Sequence, residues 1–472
     1  MIARDTDWAK LQKIFIECDV TKAEATVIAD RDRILEDIAK TIPFQQMNQN
    51  IKTALVESAK LEVQRVTQLY GEDSISITNA LVKYGNMLNF VGKYEEAEPY
   101  FRRALDIQEK VLGTENPATA TTLDNLANLL RDMAKYQEAE QYFQQSLAIR
   151  EKLLGLEHRD TAVSFINLGN VLFAMGKCEE AETYYQQALD INKKLYGPEH
   201  PNIAASLNNL GGLLHLKRKY EEAEPYYRQA LAIKEKLLGL QHPDTAISFD
   251  NLGKVLKDMK KYEEAETCFR QSLAIREKAL GSEHPDTVIS IDNLGNLLYE
   301  WQKFQDAKPY FMKILALKEK TYGPEHPNIA PSLNNLGALL QCMRKYEEAL
   351  VCYQRTLAIR EKAIGLENPV TVGTLINLAF LLQSMRKYEE AEGYFRQALA
   401  VHEKVLGLEH LVTAASLTNL GNLLCAMSRF EEAEPYFRRT VDIREKTLGS
   451  EHTDTVAASK NLALLLQFKG PN

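Results

Sequence analysis

The chain has 472 residues, with 57 Lys+Arg against 65 Asp+Glu for a formal charge of -8, and it is 45% apolar and 26% charged, as a globular protein is. No run approaches the ~18 apolar residues of a membrane-spanning helix, and the opening MIARDTDW has neither the basic region nor the apolar core of a signal peptide, so a cytoplasmic location is expected. Without a basic run there is no electrostatic footprint for nucleic acid or for an anionic membrane surface.

In chain order, residues 1–70 are predicted to form three helices, over Asp7 to Cys18, Lys22 to Lys40 and Phe44 to Tyr70, the second opening on the capping-box pattern Thr21-x-x-Glu24. This segment is read as a helical N-terminal cap, with a separate binding module as the other reading. From there on, Gly71, Gly113, Gly155, Gly197, Gly239, Gly281, Gly323, Gly365, Gly407 and Gly449 recur every 42 residues without insertion or deletion. In the unit from Asn116 to Gly155, Leu123, Leu126, Ala127, Leu130 and Ala134 form one apolar helix face, and Ala139, Tyr142, Phe143, Ser146, Leu147 and Ile149 form a second. Each unit is therefore two helices, A then B, with a turn expected at Ala134 to Tyr136.

His-Pro or Asn-Pro, as at Asn116-Pro117, His200-Pro201, His242-Pro243, His284-Pro285 and His326-Pro327, opens helix A, because proline at the first helical position gives up an amide that has no partner there. Helix B is expected to end on the periodic glycine in a left-handed conformation. Two such helices cannot bury their apolar faces alone, so the units must stack into an all-α solenoid. Nine full 42-residue repeats, from about residue 74 to 449, and a terminal helix from about His452 to Phe468 fill residues 71–472.

The run NL(G/A)xLL, KYEEAExYxxxAL, IxEKxLG resembles the tetratricopeptide repeat, and the 42-residue form with EHPxTAxSLxNLG is similar to the repeats of kinesin light chains and related proteins. Ala97, Ala139, Ala181, Ala223, Ala265, Ala307, Ala349, Ala391 and Ala433 fill the family's small-residue position in helix B. The resemblance implies a right-handed superhelix whose concave side, lined by the A helices, binds extended peptides or partner proteins, and it implies no catalysis. Residues 1–70 depart from a true kinesin light chain in having no long heptad region, which counts against a motor-subunit role.

The face of helix A opposite the leucines is predicted to line the groove. One of its columns is asparagine in nine successive units, Asn125, Asn167, Asn209, Asn251, Asn293, Asn335, Asn377, Asn419 and Asn461, and a second holds Asn86, Asn128, Asn170, Asn296 and Asn422. An amide both donates and accepts, so such a ladder can pair with an extended peptide's backbone whatever its sequence, or can bond the neighbouring helix and fix the stacking. The peptide-binding residues expected are Asn125, Asn128, Asn167, Asn170, Asn209, Asn251, Asn293, Asn296, Asn335, Asn377, Asn419 and Asn422. Specificity is assigned to the variable columns, where Asp124, Asp132, Asp250, Asp258, Asp292 and Glu300 outweigh Lys83, Arg131, Lys254 and Lys257. Kinesin light chains favour tryptophan-containing acidic peptides, but no dominant basic pocket is seen here, so a neutral or basic-leaning ligand is expected.

Other patterns have simpler readings. Cys18, Cys178, Cys268, Cys342, Cys352 and Cys425 show no CxxC spacing and read as reduced packing residues. His158, His200, His242, His284, His326, His410 and His452 share one column with Asn116 and Asn368, which fits helix capping better than a metal site. The Glu95-Glu96, Glu179-Glu180, Glu221-Glu222 and Glu263-Glu264 pairs open helix B, where negative charge suits the dipole. No phosphate loop, GxSxG or HExxH occurs, so no enzyme, cofactor or metal is expected. The reading is a non-enzymatic scaffold or adaptor for a peptide or protein. The alternative is a structural or regulatory solenoid that self-associates, for which the apolar terminal helix with Leu462, Leu464, Leu465, Leu466 and Phe468 is the expected surface, or that serves as the sensor arm of a larger signalling complex. A chain cut from something longer would also leave that helix bare.

Overall fold

A computed structural model describes residues 44–469, and the helices expected over Asp7 to Cys18 and Lys22 to Lys40 lie outside them. Among the described residues there are twenty α-helices and no strand. The third expected helix is present as α1 (Phe44–Tyr70). Nine A/B pairs follow: α2 (Thr78–Phe90) with α3 (Tyr94–Leu112), α4 (Pro117–Asp132) with α5 (Tyr136–Leu154), α6 (Arg159–Ala174) with α7 (Cys178–Tyr196), α8 (Pro201–Leu216) with α9 (Tyr220–Leu238), α10 (Pro243–Asp258) with α11 (Tyr262–Leu280), α12 (Pro285–Glu300) with α13 (Phe304–Tyr322), α14 (Ala330–Cys342) with α15 (Tyr346–Ile364), α16 (Pro369–Ser384) with α17 (Tyr388–Leu406), and α18 (Leu411–Ala426) with α19 (Phe430–Leu448). A lone A helix, α20 (Thr453–Lys469), ends the series.

The histidine column does what a cap does. Nδ1 of His158, His200, His242, His284, His326, His410 and His452 accepts the amide two residues on, at 3.1 to 3.2 Å, and the Asn116 and Asn368 Oδ1 atoms do the same at 2.9 Å. Each ring thereby satisfies one of the amides a helix start leaves unpaired. At the other end of the unit the sequence expectation needs refining. Gly113 has φ 86° and ψ 167°, a region open essentially to glycine alone, rather than the left-handed helical conformation.

The left-handed helical residues sit instead in the A-to-B turn, where Ala134, Arg218, Lys260, Gln302, Arg344, Arg386 and Ser428 have φ near 60° and Gly92 and Gly176 fill the same column. Ala134 N bonds Arg131 O at 2.9 Å and Lys135 N bonds Leu130 O at 2.8 Å, the two bonds of a Schellman motif. The turn runs over 133–135, one residue earlier than expected.

Within most pairs an aromatic ring of helix B lies on a glycine of helix A sixteen residues before it, the second and eighth pairs having Ala127 and Ala379 there instead. A Cβ at Gly169 would stand 2.6 Å from the Tyr185 ring, and one at Gly253 2.7 Å from Phe269. Absent side chains let the two helices close, and the fully buried alanines of helix B complete that approach.

The chain divides into two compact units between Leu237 and Leu238. In the first, one core joins Ala59 of α1 through Phe101, Leu126, Phe143, Leu168 and Leu189 to Leu213, so α1 packs on the first pair. In the second, Phe395, Leu417, Leu420, Phe437 and Leu465 form one cluster, and smaller ones lie around Leu333 with Ile359 and Leu375 with Ala398. Each fully buried leucine or phenylalanine contributes roughly 1.5–3 kcal/mol. No helix of the described residues is long and apolar enough to cross a membrane.

Candidate binding face on the A helices

The twelve asparagines lie on the A helices at the expected positions, but they do not behave alike. Asn335 and Asn422 are exposed and the other ten are half-buried. Asn128 Nδ2 donates to its own helix at Asp124 O, 2.9 Å, and Asn296 Nδ2 to Asp292 Oδ2, 3.0 Å. Two members reach the neighbouring A helix: Asn209 Nδ2 donates to Asn170 Oδ1 at 3.5 Å, and Asn377 Nδ2 to Asn334 Oδ1 at 3.0 Å. Asn170 Oδ1 also accepts the Tyr185 hydroxyl at 2.7 Å. The Asn293 amide lies near Asp250, whose carboxyl burial pushes up and which the amide pulls only slightly the other way, yet its Nδ2 makes no hydrogen bond of good geometry. Asn125, Asn167, Asn251, Asn335, Asn419 and Asn422 carry no side-chain hydrogen bond among the described residues.

Two acids expected in the groove are elsewhere. Asp124 and Asp250 are only 7% and 4% exposed, and each points to the B helix of its own unit, pairing with Arg150 at 2.5 Å and Arg276 at 2.8 Å. Burial pushes both carboxyls up against the pull of those guanidinium groups. The arginines continue to the next A helix, reaching Ser164 Oγ at 2.5 Å and Ser290 Oγ at 2.8 Å. Helical spacing alone put Asp124 beside Asn125 and could not reveal the basic partner 26 residues on.

Several remaining charges of the face are matched by neighbours: Lys83 with Glu62 at 2.6 Å, Lys257 with Glu300 at 2.7 Å, and Asp132 with Arg131 at 3.1 Å. Lys254 is exposed. The excess of acid that favoured a basic-leaning ligand therefore shrinks.

A cleft of about 420 Å³ that the sequence reading did not identify lies among α18, α19 and α20, lined by Asn422, Cys425, Ala426, Phe430, Phe437, Asn461, Leu464, Leu465 and Phe468. The Phe430 and Phe468 rings stack at 6.4 Å across it. Its only sequence signal was the bulky Leu464 and Phe468 in columns that elsewhere hold Asn422 and Ala426.

The tetratricopeptide-repeat pattern matches residues 76–152, 160–236, 208–278, 244–320, 302–362, 371–446 and 413–470. Such repeats generally mediate protein–protein interaction, and their scaffold is typically non-catalytic. No curated protein matches the chain. Among solved structures, BtubC (BKLC) from P. vanneervenii is 25% identical over 50% of this chain and 94% of its own, with TM-score 0.43. A Podosopora anserina protein with nearly identical TPR-like repeats, named for the kinesin light chains, is 28% identical over 44% and 98%, with TM-score 0.40. The STAND protein with a tetratricopeptide repeat sensor from Pyrococcus horikoshii is 16% identical over 78% and 52%, and its TM-score of 0.51 shows a likeness of fold. With the repeat pattern matched over most of its length and the helix pairs in register with it, the chain belongs to the tetratricopeptide-repeat family.

Proposed function

We propose that this protein is a non-catalytic scaffold that holds an extended peptide, or an extended segment of a partner protein, against the A-helix face. The observation that supports this most is the set of asparagines without bonds, with Asn335 and Asn422 exposed as well. Amides that only fixed the stacking would be spent on neighbours, as Asn209 and Asn377 are. An amide open to solvent can bond a peptide backbone twice.

The test is selection from a random peptide display library on the full chain and on the Asn335→Ala/Asn419→Ala/Asn422→Ala variant, with helicity and melting compared first. A common motif recovered by the parent and lost by the variant is the expected result. Equal recovery by both removes the asparagines from the site.

A further inference from the structure

Residues 327–342, 369–384 and 411–426 are three successive A helices without one Asp, Glu, Lys, Arg or His, in a chain that is 26% charged. The contrast with α10 and α12 is sharp, since those carry Lys254, Lys257, Asp258 and Glu300 on the same face. Between the helix ends the exposed positions are Pro331, Asn335, Gly373, Phe380, Ala415 and Asn422, and the residues exposed at the ends, such as Asn328, Val370, Ser384 and Ala426, are uncharged as well. The sequence of α20 carries Asp454, Lys460 and Lys469, and none of them is among the residues that line the cleft. Asn377 bonds Asn334 across α14 and α16, α16 and α18 pack through one apolar cluster, and α18 and α20 share the cleft, so the three uncharged helices are linked neighbour to neighbour up to it.

We infer that this stretch of the second unit takes an extended peptide segment that is itself uncharged and carries one bulky apolar side chain for the cleft, with Asn335, Asn419, Asn422 and Asn461 bonding its backbone. The argument is complementarity of charge. An ionised group laid on this face leaves water and meets only amides, methyl groups and rings, which disfavours it strongly. Arg344 and Arg386, exposed in the turns after α14 and α16, make a basic residue in the partner less welcome still. The cleft has an apolar floor in Phe437 and Leu465 and walls in Phe430 and Phe468, and Asn422 and Asn461 at its lining can hold the backbone on either side of the inserted group. Neighbouring A helices are roughly 8–10 Å apart and an extended chain rises about 3.3 Å per residue, so four helices meet about nine peptide residues.

This inference rests on the reading of the A-helix face as a peptide site, and the experiment separates the two. A random twelve-residue display library is selected on the full chain, and the recovered peptide, fluorescein-labelled, is titrated by anisotropy. The titrated proteins are the parent, Ala415→Glu, Ala415→Gln and Lys254→Ala, each first shown to melt normally. The expected motif has one aromatic or large aliphatic residue and an uncharged core. Its binding weakens at least tenfold on Ala415→Glu and stays within about twofold on Ala415→Gln and Lys254→Ala. A motif built on ionisable residues, or binding that ignores Ala415→Glu and fails on Lys254→Ala, overturns this inference and leaves the wider proposal standing. Recovery of no motif at all removes both.

Discussion

The second repeat and the third put different chemistry at one point of the same scaffold. In the second, Asp124 of α4 is ion-paired to Arg150 of α5, and the arginine goes on to Ser164. In the third, the two positions are Ile166 and Asn192, the latter 3.4 Å from Ser206. The fifth repeat returns to an ion pair, Asp250 with Arg276, and the eighth holds Ile376 and His402. The helix B column stays polar in every repeat, and in the seventh Arg360 still reaches Thr374 of the next A helix although Asn334 stands where the acid would be, so the base can do without the acid while a buried acid has only the base to balance it.

The sharpest way to break that comparison is Arg150→Met. It leaves the Asp124 carboxyl buried without its counter-charge, and a loss of about 3–5 kcal/mol is expected, read as a shift of the urea midpoint. Transplanting the third repeat's pair with Asp124→Ile and Arg150→Asn together should return stability to within about 1 kcal/mol. A double variant as unstable as the single one would show that the surroundings of the second repeat are built for charge.

A smaller effect distinguishes the glycine seats. Gly169→Ala drives a methyl group into the Tyr185 ring, with an expected loss of about 1–3 kcal/mol. At Gly295 the nearest atom to an added Cβ is Tyr310 Cβ at 3.3 Å and the Phe311 ring stands back at 3.7 Å. There the squeeze is offset by up to ~1 kcal/mol of helix propensity, so Gly295→Ala should leave the thermal midpoint nearly unchanged.

The eighth repeat adds a pH dependence that rests on an imidazole, where the second repeat has a carboxyl. His402 is 6% exposed and its Nδ1 lies 2.7 Å from Ser416 Oγ. Burial, with His410 adding to it, holds this imidazole below its ordinary value, so folding favours the neutral ring. That stabilisation is present above about pH 6.5, the free value, and is lost as pH falls from there through the lower folded value. His402→Asn, which can reach Ser416 as Asn192 reaches Ser206, should flatten the fall in melting temperature between pH 7 and 5 relative to the parent.

The helix pairs, their boundaries and the histidine caps were legible because each is written locally: apolar spacing makes the faces, and His-Pro or Asn-Pro marks the start. Residues whose environment depends on a second helix were not. Asp124 and Asp250 were placed in the groove because their own helix offers no sign of the arginine beyond it, although acid and base recur together at 124/150, 250/276 and 292/318 down the repeats. The left-handed turn at Ala134 was hidden by its side chain, while Gly92 and Gly176 in the same column announced it. Of the candidate site, the asparagine columns were readable and the division between bonded and unbonded members was not, since it is decided by rotamers and neighbours.

The ring that rests on a helix A glycine comes from sixteen residues along the chain, and the side-chain bonds between neighbouring A helices, Asn377 to Asn334 and Lys257 to Glu300, span only 43. Every such contact is near in sequence, which places the fold at the low end of contact order. The loops that must close before a contact rewards the chain are short. Each helix pair can therefore nucleate on its own and recruit the next, and the ends should exchange their amide hydrogens sooner than the middle of each unit.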